Sequence, residues 1–436
     1  MNILIVAYEF PPSRSPQAVR WHELSHQLAA LGHRVTVLSA SESTMLVGAA
    51  SVGELRRAHG TSVDVVRTSA VTGSRLLWWV RNIVGKNRTG GAVVVPRGFH
   101  GLNWKGRIVA VWGWMQAWAS FPDVRANWNL TAGPALKDLI ATCRPDVVIT
   151  SHEPASVLEL GCFAQEAGIP WVADLGDPIV ADYLPARWHR RARRLERLVC
   201  ERCSLVAVTA QTYADRLHTE YGLEQSRCIV LRQGFPPAAD VAPTRSYFGG
   251  GTLELLYTGQ LYSFRSVEPL LEALATLDGV RLTVLSPQAQ RVEPHVERLG
   301  SRLRLVPPVP RDVVRQWQRG ADILVNIGNT MPLQVPGKLF EYFGSGRPVL
   351  HLSACEPDES TDLVRVFRRG WTVENAADPI RAKLLELGAL WRRGSLHAGL
   401  DLSSRSVGEF SWPMIGEQLS DALSEAVERQ TRQIQA

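Results

Sequence analysis

Short, continuously apolar runs of strand length recur along this chain, each followed by a helical pattern, and the alternation breaks off once and then restarts. Residues Asn2 to Ala7 form the first run. A loop rich in Pro, Ser and Arg follows, then a helical pattern from Ala18 to Leu31 that Gly32 stops, then RVTVLS at 34–39. Together they make one β-loop-α-β unit. Strands that are apolar throughout, rather than alternating, belong to a parallel sheet covered by helices on both faces. Further runs follow at Asp146–Thr150, Trp171–Asp174, Leu205–Thr209 and Cys228–Leu231, with a helix expected over 155–167.

Between Phe235 and Gly251 the sequence FPPAADVAPTRSYFGGG loses its periodicity, which marks a domain boundary. The β/α pattern then resumes. Strands are expected at Leu253–Thr258, Arg281–Leu285, Ile323–Asn326 and Pro348–His351. Helices are expected over Val267–Leu277, Asp312–Arg319 and Pro336–Gly344, and Trp412–Gln430 reads as a closing amphipathic helix. At 436 residues the chain exceeds what one core usually serves, so two α/β domains are expected. Two open sheets in tandem imply a cleft, and ligands bind at the carboxyl ends of such strands.

Charge narrows the partners only a little. Forty-eight basic against 42 acidic residues give a net charge of +6, which favours anionic company such as nucleic acid, anionic lipid or sugar nucleotides. The six cysteines lie mostly inside apolar stretches, and the one C-x-x-C, Cys200 and Cys203, has no second pair at metal-ligand spacing. MNILIVAYEF lacks a basic flank and a cleavage site, so it reads as a strand and a cytoplasmic location is expected. No stretch reaches the roughly 18 to 20 apolar residues needed to cross a bilayer.

Four segments carry candidate chemistry. In PGKLFEYFGSGRPVL, 336–350, a proline suits a first helical turn, Lys338 adds positive charge there, and Glu341 lies about one turn on. A cation for a diphosphate and a carboxylate for a ribose diol fit a nucleotide; a surface i,i+3 ion pair fits the same spacing. In YTGQLYSFRS, 257–266, Gly259 ends a strand and permits close approach of phosphates, and Arg265 can hold a pyrophosphate or simply be solvated. In TSHEPAS, 150–156, His152 stands at a strand end, where it can meet a sugar hydroxyl or serve structure. In DLGDP, 174–178, Asp177 can bind acceptor hydroxyls or cap a turn.

Taken in order, these segments resemble a GT-B glycosyltransferase of family 4. EFPPSRSPQAVRWHELSHQLAALGHRVTVLS is similar to the family's opening, SHEPAS to its donor-facing histidine segment, DLGDP to its D-L-R-D-P turn and LRQGF to its N-G-F turn. YTGQLYSFRSVEPLLEAL resembles the diphosphate-gripping strand, glycine and helix, PGKLFEYFGSGRPVL the P-S-K-L-x-E-Y segment, and FSW with its helix the carboxyl tail.

The resemblance implies an α/β chain of two Rossmann-like, doubly wound parallel-sheet domains facing a central cleft. The acceptor-binding domain would span 1–237 with an insertion at 72–130, the nucleotide-sugar domain 252–411, and a helix at 412–436 would pack back toward the first domain. It implies that Gly259, Arg265 and Lys338 hold the donor diphosphate, Glu341 bonds the ribose, His152 contacts the donor sugar at the catalytic position, and Arg20 and Asp177 lie on the acceptor side. The chain departs from the pattern at Leu333, where a glutamate is usual, at Gln260, where an arginine is frequent, and in SRSPQ, which replaces the usual glycines. The implied reaction is retaining transfer from a nucleotide sugar to a glycan or lipid-linked acceptor in cell-surface polysaccharide synthesis. Neither a metal nor a cofactor is expected, because no D-x-D triplet occurs, and a nucleic-acid partner is not expected either.

Seven of the 14 tryptophans fall between Trp78 and Trp128 among basic residues, and Arg187–Arg202 holds seven arginines against two glutamates. Rings beside cations fit the inner face of an anionic membrane; packing of a helical insertion on the first sheet accounts for the tryptophans equally well. Two other readings remain, a GT-B nucleotide-sugar epimerase and a non-catalytic sugar-nucleotide-binding protein. An NAD-dependent enzyme is excluded, since YEFPPSRSPQ stands where a G-x-G-x-x-G would follow the first strand.

Overall fold

The computed structural model describes residues 1–41, 56–58, 63–69, 125–181, 184–237, 247–248, 250–262 and 264–435. Backbone contacts divide the chain into two units. One comprises Met1–Val208, Ala214–Leu231 and Gly416–Ala436; the other comprises Thr209–Tyr213 and Arg232–Ile415.

The first unit is built on eight strands: β1 (Asn2–Val6), β2 (Arg34–Ala40), β3 (Arg56–Ala58), β4 (Val63–Thr68), β5 (Val147–Ser151), β6 (Trp171–Leu175), β7 (Leu205–Val208) and β8 (Cys228–Val230). Their order is β3-β4-β2-β1-β5-β6-β7-β8, and every neighbouring pair is parallel except β3 with β4. The chain winds outward from β1 in one direction and from β5 in the other. The β1/β5 boundary is therefore the switch point at which an open α/β sheet leaves a crevice at its carboxyl edge.

Helix α1 (Pro16–Ala30) starts where the sequence provides both a cap and a stiff first turn. The Ser15 hydroxyl accepts from Ala18 N at 3.1 Å, and Pro16 occupies N1. The helix ends at Leu31, and Gly32 leaves it at φ +87°. Trp21, Trp128 and Trp171 are fully buried in this core. Each indole N–H has an acceptor: Asp174 at 3.1 Å, Thr68 Oγ1 at 2.9 Å and Thr150 Oγ1 at 2.8 Å. The expected helix over 155–167 resolves into a 3-10 stretch, Ala155–Leu160, and a short α2 (Gly161–Glu166). Gly161 packs flush on Trp171; a Cβ there would stand 1.9 Å from the indole.

The second unit repeats the plan with β9 (Leu253–Thr258), β10 (Val280–Leu285), β11 (Leu303–Val306), β12 (Ile323–Ile327), β13 (Val349–Ser353) and β14 (Gly370–Glu374). All pairs in the order β11-β10-β9-β12-β13-β14 are parallel, and the direction of winding reverses between β9 and β12. Leu255, Leu282, Val284, Ile323 and Val325 from the strands meet Leu270, Leu274 and Leu384 from the covering helices in one apolar core. At roughly 1.5–3 kcal/mol for each fully buried aliphatic side chain, this burial is the main force holding the unit together.

The last helix, Trp412–Gln435, passes from one unit to the other, and from Gly416 onward it packs on the first. His33 Nε2 lies 2.7 Å from Ser420 Oγ, and a Cβ at Gly416 would stand 2.5 Å from Gln27 Cβ. Among the described residues no helix is long and apolar enough to cross a membrane. Of the tryptophan-rich segment, Trp128 lies in the core, while Trp78, Trp79, Trp104, Trp112, Trp114 and Trp118 fall outside the described residues. Burial pushes the Cys200 thiol up to about 12 and that of Cys203 well above its ordinary value, so this C-x-x-C is held as neutral thiols.

Candidate functional site

In the second unit the candidate site is assembled at the carboxyl end of β9. Gly259 follows that strand at φ +105°, a conformation open to glycine. The short helix Lys338–Gly344 faces it and carries Lys338 at its first position. The Lys338 ammonium donates to the Thr258 carbonyl, lies 3.3 Å from Tyr257 Oη and sits 4.4 Å above the Tyr257 ring.

Arg265 reaches the same place from the loop after β9. It is buried, donates from Nε to Asn329 Oδ1 at 2.6 Å, and bonds the Tyr257 hydroxyl. Its guanidinium lies 5.0 Å from the Tyr262 ring and 5.7 Å from that of Phe264, two rings stacked on each other. The Tyr257 hydroxyl is thus shared by two cations.

Bringing two positive charges together in a partly dry place has an electrostatic consequence. Burial first, and Arg265 second, bring the Lys338 ammonium down to about 7, with Glu341 opposing them. Glu341 is partly exposed and pairs with Arg311 at 3.0 Å. The sequence allowed a Lys338–Glu341 surface pair; the structure instead turns Lys338 inward to a backbone carbonyl and gives Glu341 to Arg311. Pro336 was expected in the helix's first turn but precedes the helix, in a turn closed by Leu339 N donating to the Pro336 carbonyl at 2.9 Å.

In the first unit, His152, Glu153 and Asp177 gather at the carboxyl ends of β5 and β6. His152 is buried, and its backbone N donates to the Asp174 carbonyl at 2.8 Å. Glu153 has φ +41°, an uncommon left-handed conformation for a residue with a side chain, and its carboxyl hydrogen-bonds that of Asp177.

Arg20 lies inside the first unit. The resemblance puts it on the acceptor side; it is fully buried, with Nη2 3.0 Å from Asp174 Oδ1 and 2.8 Å from the Leu231 carbonyl. Asp174 is buried as well, and Trp21 completes its shell, so this charge pair is a strut within the core.

The glycosyl transferase 4-like domain matches residues 17–234, half of the chain. The chain belongs to that family. Searched against curated proteins, its sequence finds no match. Among solved structures it is similar to sucrose-phosphate synthase from Thermosynechococcus elongatus, at 16% identity and a TM-score of 0.67 over 96% of this chain and 97% of the other. It is also similar to α,α-trehalose 6-phosphate synthase from Burkholderia multivorans, at 12% identity and a TM-score of 0.66 over 98% and 99%. A third similar structure is the lipopolysaccharide outer core galactosyltransferase WaaB, at 11% identity and a TM-score of 0.58 over 97% and 99%. These likenesses show the GT-B fold.

Within this glycosyltransferase, Gly259, Arg265, Lys338 and Glu341 come together in the second unit, and His152 and Asp177 in the first. Sequence reasoning missed Tyr257, Asn329 and Arg311. Tyr257 sits in the penultimate position of a strand and reads as core. Asn329 orients Arg265 while its own Nδ2 holds the Gln334 carbonyl at 3.0 Å, a pairing across 64 residues that no local pattern announces.

Proposed function

We propose that this glycosyltransferase moves a sugar from a nucleotide-sugar donor to a glycan or lipid-linked acceptor, with retention and without a metal ion. The observation that carries the donor side is the convergence of Arg265 and Lys338 on the Tyr257 hydroxyl. Two facing cations repel each other, and an anion placed between them removes the repulsion; a diphosphate supplies two charges at that spacing. As the glycosidic bond to the diphosphate breaks, negative charge grows on the leaving oxygens, and these fixed cations stabilise it without reorganising. The leaving phosphate oxygen takes the acceptor hydroxyl's proton on the same face of the sugar, so no separate base is needed. Glu341 holds the ribose diol, and His152 holds the sugar being transferred.

On the acceptor side the helix His189–Arg202 is the relevant surface. Arg187, Arg190, Arg191, Arg193, Arg194 and Arg197 are exposed, whereas Glu196 points inward to Arg216 at 2.5 Å and to Tyr221 Oη at 2.9 Å. Turning that carboxylate inside leaves an outer face rich in guanidinium groups. Such a face suits anionic headgroups, at about 1 kcal/mol per cation near the surface. WaaB, by its name, acts on the lipopolysaccharide outer core, and a membrane-anchored glycan is the acceptor class that a cationic face would help to reach.

The test is a purified-protein assay with UDP-, GDP- and ADP-sugars, with and without EDTA. Release of the nucleoside diphosphate that persists in EDTA supports the reading. Conversion of the donor to an epimer without release supports an epimerase instead, and binding without turnover supports a non-catalytic module.

A further inference from the structure

We propose that Gln17, together with the Glu153–Asp177 carboxyl pair, forms a hydroxyl-reading subsite for a neutral sugar with a vicinal diol, and that Gly176 serves to admit the Gln17 amide. The inference rests on the acceptor role of the first unit and names the chemistry of that role.

Topology brings the parts together. Gln17 lies in the first turn of α1, just after β1; Glu153 follows β5; Gly176 and Asp177 follow β6. These three strands are consecutive neighbours in the sheet, and β1/β5 is its switch point.

Gln17 is only 7% exposed, and its Oε1 is buried with no hydrogen-bond partner among the described residues. Buried amide oxygens are nearly always bonded, so one left unmet is a place where a ligand hydroxyl gains. The amide sits against the Gly176 backbone: a Cβ there would stand 1.8 Å from Gln17 Nε2 and 3.3 Å from Oε1. Any side chain at 176 would therefore displace the amide.

The carboxyl pair supplies complementary groups. Two carboxyls in hydrogen-bond contact hold one proton between them, and the charge of Asp177 pushes Glu153 up to about 8. His152 and Arg125 act in the opposite direction, and Arg125 is itself engaged by Glu9 at 3.2 Å. With one proton shared, the pair offers an O–H donor beside carboxylate acceptors. A sugar diol, whose hydroxyls both donate and accept, matches that set together with the Gln17 amide. The pair's negative charge disfavours an anionic ligand.

The experiment measures binding of methyl α-hexopyranosides of gluco, galacto and manno configuration to the full chain by saturation-transfer NMR. At least one is expected to bind, and Gln17→Met, which keeps the packing volume, weakens it about fivefold to tenfold through loss of one hydrogen-bonding group. Gly176→Ala produces a similar loss by displacing the amide. Should that variant not fold, Gln17→Met carries the test alone. Wild-type binding declines above pH 8 as the shared proton leaves, and Glu153→Gln, which keeps a donor at every pH, flattens the decline. Undiminished binding in Gln17→Met, or no hexoside bound by the wild type, overturns the proposal. Stabilisation of the same samples by UDP, GDP or ADP is scored separately: if it persists while the hexosides fail, the subsite is wrong and the transferase reading stands.

Discussion

The Lys338 ammonium rests against the backbone of Gly259, so close that a Cβ at that position would stand 2.3 Å from Nζ. The glycine is required twice over, by its φ of +105° and by this contact. Gly259→Ala is expected to cost about 1–3 kcal/mol of stability through the strained backbone. It should also push Lys338 out of position, weakening nucleotide binding more than a purely structural change would. Urea unfolding and nucleotide titration on the same variant check both parts.

Lys338 also sets a pH dependence. Burial and Arg265 bring its ammonium down to about 7, and a bound diphosphate favours the charged form. Affinity for a nucleoside diphosphate is therefore full below that pH and falls as pH rises through it, with a proton taken up on binding. Calorimetry in buffers of different ionisation enthalpy measures the uptake. It should vanish in Lys338→Met.

The buried pair of Arg20 and Asp174 carries a stability prediction for the first unit. Asp174→Ala leaves the guanidinium buried without its counter-charge and is expected to destabilise that unit by about 3–5 kcal/mol. The loss should lower the calorimetric transition in which that unit unfolds.

Much of the fold was legible because its strands are short, largely apolar runs and several of its helices end at glycines; β9 starts and stops where LELLYT does. What stayed hidden was long-range. Arg20 and Asp174 are 154 residues apart, and nothing local distinguishes an arginine facing a ligand from one buried on a carboxylate. The Lys338–Glu341 spacing fixed a shared helical face but not the partners, since Arg311 and the Thr258 carbonyl arrive from other elements. Gln17 carries no local signal, because a glutamine beside a loop reads as polar surface until Gly176 is brought against it.

The arginine face of the helix His189–Arg202 should bind anionic vesicles. Phosphatidylcholine vesicles containing phosphatidylglycerol are expected to co-float with the protein at low salt and to release it at high salt, while pure phosphatidylcholine does not bind. Replacing Arg190, Arg193 and Arg194 by glutamate should abolish flotation and leave nucleotide affinity unchanged.

If Arg265 and Lys338 hold one diphosphate between them, calorimetric titration with UDP, GDP and ADP will show it. At least one nucleotide should bind the wild type, and the double variant Arg265→Gln, Lys338→Gln should lose about a hundredfold or more in affinity, as expected when two charge-assisted contacts go. Binding that survives the double substitution unchanged, or a wild type that binds none of the three, would contradict it.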